Sequence, residues 1–257
     1  MYEQKIFPTI NFKGENLSEN MENAIILVSG GLDSVTLSHY LKKVENIKKL
    51  KLIFIDYNQK CLEEELYCAK KLAKELNSDL KIINAKWLGE ISTSLINKES
   101  DKGIEEIKQE EEIISWYVPC RNALFLLIGL AIAEAELISN GKKYDVYLGI
   151  KHEGELQFKD TTPEFIDKIN NLVEFCTQKG DFKFVAPFLK KEKEELIELC
   201  EEFKIPLENT YSCYIGGGFR KVDGKKVAIH CGICGGCKSR KKAFKFSEVN
   251  DPTIYEN

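Results

Sequence analysis

The chain has 257 residues, 43% hydrophobic and 30% charged, with a formal net charge of −4. These values exclude a disordered polyion and leave room for one large domain, or one domain with a small appendage. The most apolar segment, residues 123–135, is too short to span a bilayer, and residues 1–22 lack the apolar core of a signal peptide, so a cytoplasmic location is expected.

Apolar runs alternate with helical periodicity almost from end to end. Residues 24–28 read as a strand and 34–44 as a helix. A second strand at 50–55 precedes a helix at 63–76, with Leu66, Ala69, Leu72, Ala73 and Leu76 on one face. After a third strand at 80–84, the charged and weakly periodic stretch 87–115 is expected to be a mobile flap near the site. A helix at 121–138, a strand at 145–150, a helix at 163–178 opened by Pro163, a strand at 182–185 and a helix at 191–203 complete the alternation. Beyond residue 204 the pattern is irregular until a short helix near 238–246, and 222–225 reads as a hairpin turn. The expected fold is α/β, a doubly wound parallel sheet with helices on both faces, followed by a C-terminal metal-binding region. The expected units are an extension at 1–22, the α/β domain at 23–204 and the C-terminal region at 205–257.

Ser29-Gly30-Gly31-Leu32-Asp33-Ser34 follows the first apolar run and opens the first helix. A glycine turn at a strand end, leading into a helix N-terminus, is suited to hold an anion, with Ser29 and Ser34 adding hydroxyls. The spacing is neither Walker A nor GxGxxG. It resembles the PP-loop, SGGxDS, of the ATP pyrophosphatases, which implies a grip on the pyrophosphate of ATP and transfer of AMP.

Nine cysteines in odd number and clustered spacing favour reduced thiols and metal over disulfides. Cys231, Cys234 and Cys237 are spaced by three, and Cys213 lies eighteen residues upstream. Glycines between them let the sulfurs converge into a closed Cys₄ shell, as expected of structural Zn²⁺. An iron–sulfur cluster, or His230 in place of one thiol, are the competing readings. Cys61, Cys68, Cys176 and Cys200 fall in helical segments and read as small buried hydrophobes. Between Arg220 and Lys245 nine Lys/Arg face one acid, Asp223, which suits either phosphate or nucleic-acid contact or a solvated face.

Further blocks extend the likeness. Ile55-Asp56-Tyr57-Asn58-Gln59 resembles FDYGQ, Tyr117 to Asn122 resembles YVPxRN, and Asp160 to Phe165 resembles DCRPEF. Pro187-Phe188-Leu189 with Lys193, then Ser212-Cys213-Tyr214 and His230 to Cys237 with Arg240, follow in the same order. Together they resemble the QueC family, the 7-cyano-7-deazaguanine synthases, over most of the chain. The resemblance implies adenylation of a deazaguanine carboxylate and its conversion with ammonia, through an amide, to a nitrile. It implies ATP and Mg²⁺ at Val28, Ser29, Gly30, Gly31, Leu32, Asp33 and Ser34, with Asp56 and Gln59 lining the nucleotide or ammonia side. Arg121 and Lys193 are expected to meet pyrophosphate or adenylate charge, and Asp160 the N–H edge of the base. Without the resemblance, Lys193 reads as a surface lysine and Asp160 equally as a helix cap.

The sequence departs from the family pattern at 151–159, at Asn58 and Cys120 where glycine is common, and at Thr161-Thr162 in place of Cys-Arg. Two alternatives therefore stand beside the synthase: a QueC-like phage-defence enzyme that joins a deazaguanine acid to a protein, and a tRNA-modifying PP-loop enzyme. A homodimer is expected from the resemblance.

Overall fold

The computed structural model describes residues 22–98, 114–151 and 158–256. Its centre is a parallel sheet of β1 (Asn23–Leu27), β2 (Lys49–Asp56), β3 (Asp79–Asn84), β4 (Asp145–Leu148) and β5 (Phe184–Val185). The strands lie in the order β3-β2-β1-β4-β5, with Ala24 in register with Leu50 on one side and Asp145 on the other. The helices are α1 (Leu32–Lys43), α2 (Leu62–Glu75), α3 (Lys86–Ile91), α4 (Arg121–Asn140), α5 (Pro163–Cys176), α6 (Lys193–Glu202) and α7 (Gly235–Ser247).

The two-residue alternation of a strand divides its side chains between two cores. Ala24, Ile26, Leu50, Leu52, Phe54 and Tyr147 join α1, α2, α6 and α7 in one. Ile25, Leu27, Ile53, Ile55, Val146 and Leu148 join α4 and α5 in the other. The sheet is thus covered on both faces, as parallel sheets require, and the expected α/β class is observed. Ile205, Leu207, Ala243 and Phe244 belong to the first core, so the segment after residue 204 packs directly on the sheet layer.

Several expectations change. The stretch 87–115 is not wholly a loop: α3 fills 86–91, and Leu88 and Ile96 are buried. Of the flap expected at 87–115, residues 99–113 lie outside the described residues, as do 1–21 and 152–157. The fourth strand stops at Leu148, because the chain must then turn beside α1, and the last helix starts at Gly235, inside the cysteine run. The expected hairpin forms from β6 (Phe219–Val222) and β7 (Lys225–Ala228), with Asp223 and Gly224 both at positive φ, as a type I′ turn needs. Cys61, Cys68 and Cys200 are buried as expected, whereas Cys176 is exposed at the end of α5. Finally, Ile114–Asn140 is long and apolar enough, by length and composition, to cross a membrane, which corrects the shorter apolar span read at 123–135. Its α4 portion nevertheless buries Leu126, Gly129, Leu130 and Ala133 in the layer over the sheet.

Candidate functional site: a cavity at the strand ends

The order β3-β2-β1-β4-β5 reverses direction between β1 and β4, and the crevice outside the carboxyl ends of such strands is where ligands sit in open α/β sheets. A cavity of about 260 Å³ opens there. The loop after β1 forms one wall through Val28, Ser29, Gly31, Leu32, Asp33 and Ser34. Ser34 Oγ donates to the Gly31 carbonyl at 3.2 Å, and Gly31 N–H donates to Ser29 Oγ at 3.2 Å, so the two serines also staple the turn. Gly31 caps α1 with backbone alone, leaving the helix N-terminus open to an anion. Gly30 lies just behind the lining at φ +75, where a Cβ would stand 2.4 Å from the Glu65 carbonyl oxygen. Gly149, at the end of β4, passes so close to α1 that a Cβ would lie 2.9 Å from Ser34 N.

The cavity brings together Asp33, Gln59, Arg121 and Lys193, which the sequence separates by up to 160 positions. Lys193 stands in the first turn of α6 with its Nζ 3.1 Å from Ser239 Oγ. Arg121 opens α4 and hydrogen-bonds Tyr57. Burial works against its charge, but Tyr57 and Asp160 outweigh burial and hold its pKa above the ordinary value. Asp160 and Asp56 do not line the cavity. Asp160 lies behind Arg121, its carbonyl accepting from Asn122 Nδ2 at 3.2 Å, while Thr161 reaches the cavity. The cap of α5 is Thr162, whose Oγ1 accepts from Phe165 N–H at 3.1 Å, so capping is not the task of Asp160. Asp56 is turned to Lys86 at 3.5 Å and accepts from Asn58 N–H at 3.1 Å, which fixes the turn after β2.

Sequence reasoning missed Glu65, Lys151, Asn122, Tyr57, Tyr211 and Tyr214, all on the cavity wall. Glu65 Oε2 accepts from Gln59 Nε2 at 2.9 Å, and Gln59 Oε1 accepts from Tyr57 N–H at 3.0 Å. Burial pushes the Glu65 carboxyl up to about 7, against the pull of Gln59 and Arg121. The run Glu63-Glu64-Glu65 at a helix start reads as complement to the helix dipole. Helical phase alone separates the three: Glu63 is exposed, Glu64 is buried and accepts from Gly218 N–H at 2.9 Å, and Glu65 faces the cavity. Asn58 and Cys120 have φ of 61 and 56, left-handed positions that explain why glycine is the common residue there. The walls between the polar groups are Phe54, Ile55, Phe125, Leu148 and Phe158. Loop amides and the cations Arg121, Lys151 and Lys193, together with apolar walls, suit a phosphorylated ligand carrying a ring.

Next to the cavity, the sulfurs of Cys213, Cys231, Cys234 and Cys237 all lie within 4.8 Å of one another, and all four residues are buried. Cys231 and Cys237 Sγ are 3.8 Å apart, Cys213 and Cys234 Sγ 3.9 Å. Backbone N–H groups of Cys231, Tyr214 and Ile233 donate to the sulfurs of Cys213, Cys234 and Cys231, each at 3.4 Å. Hydrogen bonds from Cys234, Cys237 and Cys61 pull the Cys213 thiol far below its ordinary range. Cys61 is therefore a neighbour of the cluster and lines the cavity with Cys213. His230 stays outside the cluster: its Nε2 accepts from Ser212 N–H at 3.0 Å, and burial lowers its pKa to about 3. The four thiols fit a metal site.

Comparisons with known proteins identify the family. Residues 23–248 match the family model described as queuosine biosynthesis protein QueC. The chain is 31% identical over 243 residues to the 7-cyano-7-deazaguanine synthase of Methanococcus maripaludis, covering 90% of this chain and 98% of that protein. The corresponding synthase of Methanothermobacter thermautotrophicus is 31% identical over 240 residues, with the same coverage. Among solved structures, the U34-tRNA thiolase NcsA from Methanococcus maripaludis with its 4Fe–4S cluster gives a TM-score of 0.39 at 14% identity. That match covers 73% of this chain and 59% of the other, so the chain spans about three-fifths of its length.

Proposed function

The chain belongs to the queuosine biosynthesis protein QueC family, and from that membership we propose that it is an ATP-dependent ligase making 7-cyano-7-deazaguanine from 7-carboxy-7-deazaguanine and ammonia. The observation that carries this reading is the single cavity wall shared by the Ser29–Ser34 loop, Arg121 and Lys193.

A carboxylate is a poor electrophile because its oxygen leaves badly. Attack of that oxygen on the α-phosphorus of ATP forms an acyl adenylate and expels pyrophosphate. Ammonia then adds to the acyl carbon, and AMP leaves with the carboxylate oxygen, giving the amide. A second adenylation, now on the amide oxygen, lets that oxygen leave as AMP while the nitrogen loses its protons and the nitrile forms. Most of such catalysis is positioning and neutralisation of developing charge.

On this reading the loop amides and the α1 N-terminus hold the phosphates, and Arg121 and Lys193 neutralise the departing pyrophosphate. Asp33 would hold Mg²⁺ on the phosphate oxygens, a role for oxygen ligands in nucleotide enzymes. Tyr57 and Asp160 keep Arg121 charged and oriented. Asp160 acts on the substrate through Arg121 and Thr161, rather than directly on the base edge. Asp56 shapes the turn that presents Gln59. Gln59 in turn positions Glu65, and Glu65 is the acid–base group suited to accept a proton from incoming ammonia.

The cysteine cluster supports Zn²⁺ as the metal. In a tetrahedral shell with Zn–S of ~2.3 Å, neighbouring sulfurs stand about 3.8 Å apart, the spacing of the two sulfur pairs above. A cube of iron and sulfide is wider than a single ion and needs its four thiolates farther apart. With four protein ligands the site would be closed, so its task is to hold Tyr211 to Tyr214 against the cavity. The synthase names of the full-length relatives support a small-molecule product over a protein or tRNA acceptor. We take the working form to be a cytoplasmic homodimer.

The deciding experiment incubates the protein with ATP, Mg²⁺, ammonium and 7-carboxy-7-deazaguanine and reads the products by mass spectrometry. The nitrile with AMP is the expected result. An amide or adenylate that accumulates without nitrile would limit the reading to activation chemistry, and no AMP at all would overturn it.

A further inference from the structure

Lys193 opens α6, with Glu192 as the N-cap and Glu194 and Glu195 in the first turn. A cation at that end of a helix opposes the dipole, so helix stability is not the reason for a lysine there. The neighbouring Lys191 pairs with Glu195 at 3.2 Å. Lys193 has no such partner among the described residues; its Nζ donates to the neutral Ser239 Oγ at 3.1 Å. An ammonium carries three N–H donors, and the serine accepts from one of them. The remaining donors sit on a half-buried side chain that lines the cavity, where an anion can meet them.

Ser239 stands on the part of α7 that is held most firmly. The helix starts inside the cysteine run, with Cys234 as its N-cap and Cys237 in the first turn, both in the thiol cluster. Gly236, between them, lines the cavity, and a Cβ there would stand 2.1 Å from the Ser212 carbonyl oxygen. The first turn is therefore seated directly on the cavity wall at 212–214. The residue after Ser239, Arg240, is fully buried and donates to Thr210 Oγ1 and Ser212 Oγ. Farther along, Ala243 and Phe244 pack in the same core as Leu196 and Ile197 of α6. A serine hydroxyl has a single heavy-atom torsion, so a fixed backbone places its oxygen closely. Lysine carries its charge on a flexible four-carbon stem. Holding that charge in place before a ligand arrives lowers the ordering cost of binding.

We propose that Ser239 is the positioning residue of Lys193: its hydroxyl holds the ammonium in the cavity, ready for the pyrophosphate end of the nucleotide. The inference rests on the reading of Lys193 as a cation that meets pyrophosphate, and it adds the group that aims it. It also gives α7 a second task. The helix that supplies two of the four thiols carries this hydroxyl two residues beyond Cys237. The cysteine region thus reaches the phosphates through Ser239 as well as through the wall at 211–214.

The test is calorimetric titration of the full-length protein with MgATP and with inorganic pyrophosphate. It compares the wild type, Ser239→Ala, Ser239→Thr, Lys193→Met and the double variant carrying Ser239→Ala with Lys193→Met. Ser239→Ala should weaken pyrophosphate binding about 10-fold, as for loss of one hydrogen bond to a charged group. Ser239→Thr keeps a hydroxyl on the same carbon and should recover most of that loss. Lys193→Met should weaken binding at least as much as Ser239→Ala. In the double variant the serine substitution should add nothing, because a residue that acts through the lysine then has nothing left to place. Losses that multiply would mark a general structural effect and overturn the proposal, as would wild-type affinity in Ser239→Ala. Thermal midpoint and metal content should match the wild type. Should Ser239→Ala lower either, the isosteric pair Ser239→Thr and Ser239→Val decides, and equal affinity in those two would overturn the proposal. A wild type that binds neither MgATP nor pyrophosphate would overturn the phosphate reading of the cavity, and this inference with it. That outcome is distinct from normal binding that the serine variants leave intact.

Discussion

Asp33 is the residue on which the phosphate-binding reading of the β1–α1 loop turns, because a bare carboxylate at a helix N-terminus facing phosphate is otherwise repelled. Asp33→Asn should lower AMP formation by at least ~100-fold while the cysteine-bound metal is retained, measured by product chromatography and metal analysis. Retained activity would remove Asp33 from the site. Glu65 carries a pH signature. Its carboxyl titrates at about 7 instead of the ordinary 4.5, so it binds its proton more tightly folded than unfolded. That contribution is fully present below pH 4.5 and is lost as the pH rises through about 7. Glu65→Gln should therefore flatten the loss of denaturant midpoint between about pH 5 and about pH 8. An unchanged slope would mean that the carboxyl titrates normally. Asp33, Arg121 and Lys193 were legible as motif residues. Glu65 was not, because three successive glutamates differ only in the angle at which α2 presents them.

Among the elements, the turn between β1 and α1 is the one where backbone shape is least negotiable. Gly30 combines positive φ with a missing Cβ that would collide with α2. Gly30→Ala should cost at least ~2 kcal/mol in stability, from left-handed strain plus the enforced shift of α2, read by chemical denaturation. A cost within ~0.5 kcal/mol would contradict the described packing. The cysteine segment is the second such element. Cys234→Ser should release the metal and unfold 205–217 and 229–237, leaving exchange protection in β1, β2 and β4. Unchanged metal content would sink the four-thiolate assignment.

At the scale of the whole molecule, Arg240 joins the cysteine region to the rest. Its side chain is fully buried. Nη1 donates to Thr210 Oγ1 at 2.8 Å and Ser212 Oγ at 3.1 Å, Nη2 to the Leu207 carbonyl at 3.1 Å, and Nε to Thr253 Oγ1 at 2.6 Å. One guanidinium thus gathers the chain before the cysteines, the last helix and the C-terminal tail. Arg240→Met should destabilise the protein by about 3 kcal/mol, because several buried acceptors lose their donor together. A thermal midpoint that does not fall would show that the cysteine cluster suffices alone.

By itself the sequence determined the alternating α/β architecture, the glycine turn after the first strand and the four thiols that converge. Each of these is a local matter: periodicity of two or 3.6, a glycine turn, and cysteines close enough along the chain to converge. Only the tertiary structure decided that Glu65, Lys151, Tyr211 and Tyr214 share a wall with the loop, that Asp56 turns to Lys86, and that Asp160 stands behind Arg121. Those outcomes depend on which face of a helix meets the switch point between β1 and β4, and on how segments more than a hundred residues apart cross there.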